Sequence, residues 1–224
     1  MAGRLKLEQP ENSVNHGTIY LYIFKKELEL TIYLVCGRKR RRKRIQKRVK
    51  RVMIPHRTGI EERPEHINSR EDIGHWEADT SVSRQSKEAI MVLQERKLGI
   101  TCIEKLPRCA PKEMKNAIYN RLALLPPELR KSITFNNGQE NRHHNVLREE
   151  LNIDTFFCNP YSSWEKGSVE NAIGLTRRVW PKKTDYALIP DEDIAKLEYR
   201  LNTRPKKRFG FLSPFEMLCV ALTP

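Results

Sequence analysis

The sequence has 224 residues, 38% of them hydrophobic, and a net charge of +14 from 42 basic and 28 acidic side chains, which suits one medium domain with appendages. No apolar run approaches the roughly 20 residues of a membrane span, and no basic-then-apolar leader with a cleavage site is present, so no membrane partner is expected. The five cysteines (Cys36, Cys102, Cys109, Cys158, Cys219) are scattered and form no Cys-x-x-Cys pair, which argues against a zinc knuckle or a disulfide framework and for a reducing cytoplasm.

Residues 1–13 read as irregular. From a possible cap at Ser13 or Asn15 to about Leu34, the apolar positions Ile19, Tyr22, Ile23, Leu28 and Leu30 predict one or two short helices, too short to bury a core alone. Residues 38–51 (R-K-R-R-R-K-R-I-Q-K-R-V-K-R) hold 11 of the 42 basic residues and no acid, so the rest of the chain carries only +3 of the +14. Such a block repels itself and neutralises phosphate, which points to nucleic acid through Arg38, Lys39, Arg40, Arg41, Arg42, Lys43 and Arg44. The bland alternative is a solvated linker or a membrane-surface patch. Pro55, Gly59 and Pro64 continue a linker. The expected layout is therefore a helical remnant over 1–36, a basic linker over 37–70 and a core over 71–224.

In the core, His75 to Val82 is a predicted strand with Glu77 and Asp79 on one face and Trp76 and Ala78 on the other. Ala89 to Leu93 is apolar throughout, as a buried strand would be, and Ile100 to Leu106 is a third candidate. Pro111 opens a predicted helix that runs to about Leu125. Ser132 to Phe135 reads as a strand, Gln139 to Leu151 as a helix, and Ile153 to Cys158 as a fifth strand. A helix capped by Ser162 or Ser163 follows, then helices over Asp191–Asn202 and Pro214–Leu222. The fold class is α/β, with helices flanking a mixed five-stranded sheet.

The last strand leads into C-N-P-Y-S-S-W-E-K-G-S-V-E-N-A-I-G-L-T-R-R (158–178). Glu170, Gly174, Arg177 and Arg178 fall at i, i+4, i+7 and i+8, so one carboxylate shares a helix face with two guanidiniums. That suits a metal ligand beside phosphate as well as it suits a solvated face. Lys166, Arg177 and Arg178 are candidate phosphate contacts, as is a basic corner formed by Asn202, Arg204, Lys206, Lys207 and Arg208. Trp164 suits base stacking or a core position. The six histidines are dispersed apart from the adjacent pair His143 and His144, so no histidine metal site is expected.

Five segments carry a resemblance: G-H-W-E-A-D-T (74–80), V-L-Q-E-R-K (92–97), I-T-F-N-N-G-Q-E (133–140), F-C-N-P-Y-S-S-W-E-K-G-S-V-E-N (157–171) and L-N-T-R-P-K-K-R-F-G-F-L-S-P-F-E (201–216). In this order they resemble the IS-thirty family of insertion-sequence transposases, within the retroviral-integrase-like superfamily. The resemblance implies a ribonuclease-H-like fold and an Asp-Asp-Glu triad that holds two Mg²⁺ (or Mn²⁺) ions about 4 Å apart for in-line phosphoryl displacement. It also implies double-stranded DNA as partner, at element ends and target, with a homo-oligomer assembled on it in the bacterial cytoplasm and nucleoid. Position by position, Asp79 matches the first metal ligand and Glu170 the third, while Asn136 stands where the family has Asp. A carboxamide supplies one oxygen without the charge, so weak metal binding and impaired DNA cleavage and strand transfer are expected. Glu140 and Glu77 are the candidate stand-ins. The alternative is a non-catalytic DNA-binding or inhibitory product. N-S-V-N-H-G-T-I-Y-L-Y-I-F (12–24) resembles the family's recognition helix. The helices that precede it in the family have no room in the first dozen residues, which suggests truncation.

Overall fold

Hydrophobic alternation and turn chemistry lay down a single sheet. In the computed structural model, which describes residues 2–33, 54–160 and 162–222, that sheet has six strands. These are β1 (Thr58–Gly59), β2 (His75–Val82), β3 (Ala89–Glu95), β4 (Thr101–Leu106), β5 (Ser132–Phe135) and β6 (Asp154–Phe157). They lie in the order β1-β6-β5-β2-β3-β4. β2, β3 and β4 form an antiparallel meander, while β5 runs parallel to β2 and β6 parallel to β5. This is the ribonuclease-H-like arrangement, with one strand more than the five expected. The sixth is a two-residue strand that pairs with β6 from within the stretch expected to be linker. Residues 54–70 are tied to the sheet because Ile54 packs into the core and buried Arg63 donates to Thr134 Oγ1 at 3.0 Å.

Eight α-helices accompany the sheet among the described residues: α1 (Ala2–Glu8), α2 (His16–Lys26), α3 (Glu65–Asn68), α4 (Pro111–Leu122), α5 (His144–Leu151), α6 (Gly167–Val179), α7 (Asp191–Thr203) and α8 (Pro214–Leu222). One layer of core joins Trp76, Ala78, Met91 and Leu93 to Met114, Ile118 and Leu122 of α4 and Leu147 of α5. The other joins Ile90, Val92 and Ile103 to Val169 and Ile173 of α6 and Leu197 and Leu201 of α7. β3 is therefore buried on both faces, which is why its sequence is a continuous apolar run rather than an alternating one. Asn202 closes α7 onto β4: its Oδ1 accepts from Thr101 N at 2.8 Å, and its Nδ2 donates to Thr101 O at 2.7 Å. Asn202 is thus a buried structural pin rather than part of a DNA-tracking corner.

The chain divides into two compact units, the larger spanning Arg51–Arg204 and Pro214–Pro224, the smaller Met1–Lys50 and Pro205–Ser213. In the smaller unit, Asn15 caps α2 by accepting from Gly17 N, and the helix buries only Ile23. Residues 1–13 are not irregular as expected: α1 occupies most of them, with the Phe211 ring packed on Gly3, where an added Cβ would clash with the ring. Glycine at position 3 is what allows that approach.

The start of α6 also departs from the expectation of a Ser162 or Ser163 cap. A short 3-10 turn (Ser163–Lys166) precedes the helix, and no side chain within the segment caps it. The cap comes from the sheet instead. Fully buried Glu77 reaches from β2, and its Oε2 accepts from Val169 N at 3.0 Å. Its Oε1 is ion-paired with buried Arg96 of the turn after β3. One carboxylate thereby joins the first turn of α6 to the central strand, satisfies an orphan helix donor and complements the positive helix end. Substituting Arg96 by Met leaves Glu77 buried without its cation. Urea unfolding should then show a loss of about 3–5 kcal/mol, far more than an exposed ion pair would lose.

Candidate active site

Parallel pairing decides which polar residues meet. β2 and β5 are in register at His75↔Ser132, Trp76↔Ile133 and Glu77↔Thr134. Two steps beyond the last pair bring Asp79 opposite Asn136, at the carboxyl edge of the parallel strands where ligands collect in α/β sheets. The contact is direct: Asn136 Nδ2 donates to Asp79 Oδ1 at 2.9 Å. The same oxygen accepts from Thr80 N at 2.8 Å. The second oxygen, Oδ2, lies 2.9 Å from Lys166 Nζ. This last contact is an ion pair rather than a well-directed hydrogen bond.

The orientation of Asn136 follows from its other neighbours. Its Oδ1 accepts from Gly138 N at 2.9 Å and from Asn141 Nδ2 at 2.7 Å. A backbone N–H can only donate, so the carbonyl oxygen must face Gly138 and the NH₂ group must face Asp79. Every oxygen of Asp79 and Asn136 is thus engaged by an N–H donor or an ammonium. Glu170 sits exposed on the first turn of α6. This set does not fit the pair of Mg²⁺ ions that the resemblance implies. Two shared divalent ions need anionic oxygens facing one another, and here an amide and an ammonium fill that space.

Neither proposed stand-in changes this. Glu77 is consumed by Arg96 and the α6 backbone. Glu140 folds back over Gly138, where an added Cβ would clash with the Glu140 carboxylate. Cys109, 3.8 Å from Thr80 Oγ1, has its thiol pushed up chiefly by burial and then by the Glu140 carboxylate.

The remaining candidates separate. Lys166 was expected to reach DNA phosphate, but its side chain is only 4% exposed and its ammonium is turned onto Asp79, because the 3-10 turn before α6 aims it inward. Arg177 is half-buried, with Nε donating to Ser81 Oγ at 3.1 Å, while Arg178 is exposed. Arg204 lies at the end of α7 in the larger unit. Lys206 and Arg208 belong to the smaller unit, where the Arg208 guanidinium stacks over Phe209 at 4.4 Å. Trp164 is 75% exposed beside the α6 start, whereas Trp76 and Phe135 are core. Arg38, Lys39, Arg40, Arg41, Arg42, Lys43 and Arg44 lie outside the described residues. Sequence reading missed Asn141 and the inward turn of Lys166. No spacing rule links Asn141 to Asn136, and Lys166 looks like any surface lysine in a polar loop.

No family model matches the sequence. The chain is 36% identical over 230 residues to the transposase of insertion sequence element IS4351 from Bacteroides fragilis, covering 96% of this chain and 67% of that protein. The chain belongs to the insertion-sequence transposase family. Within that family it is also 35% identical over 174 residues to the InsI transposase of element IS30A from Escherichia coli K12, covering 77% of this chain but 45% of that protein. The chain thus spans about two thirds of the first relative and under half of the second. Among solved structures, the catalytic core of BIV integrase matches at 17% identity with a TM-score of 0.49, over 66% of this chain and 95% of that one.

For this transposase-family chain, restoring a carboxylate at 136 creates a testable conflict. In Asn136→Asp the oxygen replacing Nδ2 faces Asp79 Oδ1, so an attractive contact becomes a repulsive one that calls for a cation. In EDTA the variant should unfold at lower urea, with a loss of about 1–3 kcal/mol, and millimolar Mn²⁺ should restore stability in the variant but not in the unaltered chain.

Proposed function

We propose that this chain is the DNA-binding and catalytic-core portion of an insertion-sequence transposase whose DNA cleavage and strand transfer are strongly weakened at Asn136. The observation that carries the reading is the engagement of Asp79 by Asn136 Nδ2 on one oxygen and by Lys166 on the other. In the active site that the family resemblance implies, Asp79, the residue at 136 and Glu170 would hold Mg²⁺ or Mn²⁺ beside a DNA phosphodiester. Here the charge of Asp79 is already balanced by Lys166, and Asn136 adds no negative charge, so divalent ions bind weakly.

Duplex DNA, at element ends and at the target, is the proposed partner. Arg38 to Arg44, with the rest of the 38–51 block, supply sequence-tolerant phosphate contacts. On α6, exposed Arg178 and half-buried Arg177 are further candidate phosphate contacts, and exposed Trp164 offers a stacking face. Arg204, Lys206 and Arg208 add backbone contacts. Assembly as a homo-oligomer on DNA, in the bacterial cytoplasm and nucleoid, follows from this role. No helix among the described residues is long and apolar enough to cross a membrane. A second reading has a specific basis: with its own ammonium on Asp79, the chain can occupy DNA or join active subunits as a non-catalytic inhibitor.

Nicking of supercoiled plasmid in Mn²⁺ separates these readings from an intact enzyme. The unaltered chain should cleave slower than Asn136→Asp by on the order of 100-fold or more, since metal stabilisation of the developing charge is worth several kcal/mol. Equal rates would defeat the claim of impairment. Binding should weaken steeply with salt, with a log–log slope near −0.9 per phosphate contact, and deletion of 38–51 should flatten that slope.

A further inference from the structure

At the opposite end of β2 from Asp79, three residues that play no part in the site above converge. His75 opens β2, Asp72 lies in the turn before it, and His66 sits on α3. One ligand atom from each lies within 4.8 Å of the others, and His66 Nε2 is 3.9 Å from Asp72 Oδ2. The two imidazole rings meet edge-on with centroids 5.9 Å apart. His75 is 4% exposed, and its two nitrogens have different fates. Nδ1 is 2.8 Å from Ser132 Oγ, while Nε2 is buried with no hydrogen-bond partner.

A buried ring nitrogen without a partner is costly, whether it carries a proton or a lone pair. Burial, and next the charge of Lys131, push the His75 imidazole down to about 4, so the ring is neutral at pH 7. With Ser132 Oγ accepting from Nδ1–H, the free lone pair falls on Nε2. That is the arrangement of a metal-ligating histidine, whose second nitrogen is fixed by a hydrogen bond to the protein.

We propose that His66, Asp72 and His75 bind one Zn²⁺ ion, which ties α3 to the head of the central strand. Tetrahedral zinc with bonds near 2.0–2.2 Å sets its ligand atoms about 3.4 Å apart, so the group must close by roughly an ångström. The residues that must move are free to do so: the side chains of His66 and Asp72 are 48% and 50% exposed, and His75 stays fixed. Two imidazoles and a carboxylate select zinc, cobalt or nickel over Mg²⁺ and Ca²⁺, which take all-oxygen shells. Of the nearby cations, Arg96 is neutralised by Glu77, and Lys131 is exposed to solvent. Three protein ligands leave the fourth position to water or to a donor from a bound partner.

The test is calorimetric titration of Zn²⁺ into the EDTA-stripped full chain, with Co²⁺ absorption as a report of tetrahedral nitrogen ligation. The unaltered chain should take up one tightly held ion and melt at higher temperature with it. His66→Ala and Asp72→Asn alter exposed side chains, so the fold survives, and each should weaken zinc by about tenfold or more. Asp79→Asn should leave this affinity unchanged, and millimolar Mg²⁺ should not compete. Absence of zinc uptake by the folded chain overturns the proposal. So does uptake that survives both His66→Ala and Asp72→Asn, or uptake that depends on Asp79 instead.

Discussion

Parallel pairing of β2 with β5 is the constraint from which the rest of the structure follows. The register that places Glu77 beside Thr134 carries Asp79 to Asn136 without further adjustment, because both strands advance together toward one edge. A slip of one residue would turn Glu77 and Asp79 toward the apolar side chains of α4 (Met114, Ile118 and Leu122) and carry Trp76 and Ala78 to the other face. The register is held from both faces of the sheet, by apolar packing under α4 on one and by the Glu77 carboxylate on the other. Glu77 is the more specific device. By accepting from Val169 N while paired with Arg96, it sets where α6 begins, and so where Glu170 stands and where Lys166 turns in.

The edge assembled in this way is internally balanced. Asp79 carries a charge that needs compensation in a partly buried setting, and Lys166 supplies it. Asn136 satisfies the other oxygen without adding charge of its own. A family whose members are transposases has here a chain in which the polar edge needs no ion to be electrostatically satisfied. The head of the same strand is the reverse case. There His75 keeps a buried nitrogen with nothing to bond, and the half-exposed side chains of His66 and Asp72 stand nearby. At the Asp79 edge both carboxylate oxygens are engaged, whereas at the head of β2 the His75 Nε2 has no hydrogen-bond partner.

Much of the architecture was legible in the residues. Strands β2 and β5 and helix α8 fall at their expected bounds, because their hydrophobic periods and flanking Gly and Pro residues are local signals. The Asn136 departure was equally plain, since it is a single letter in an otherwise recognisable motif. The start of α6 was misplaced because its cap is a carboxylate 92 positions away, and no local pattern encodes that. The two-residue β1 was missed for a related reason. An edge strand of that length has no periodicity and exists because β6 offers it unpaired backbone.

Sequence alone determined the fold class, the order of the five main strands, the basic block at 38–51 and the identity of the residues at 79, 136 and 170. All of these depend on composition and short-range pattern. Tertiary structure alone decided that Lys166 faces Asp79 rather than solvent, that Glu77 is a helix cap rather than a spare ligand, and that His66, Asp72 and His75 meet. Each of those outcomes depends on the direction of a side chain across a packed interface. Such directions are set by strand register and helix placement, which no spacing along the chain records.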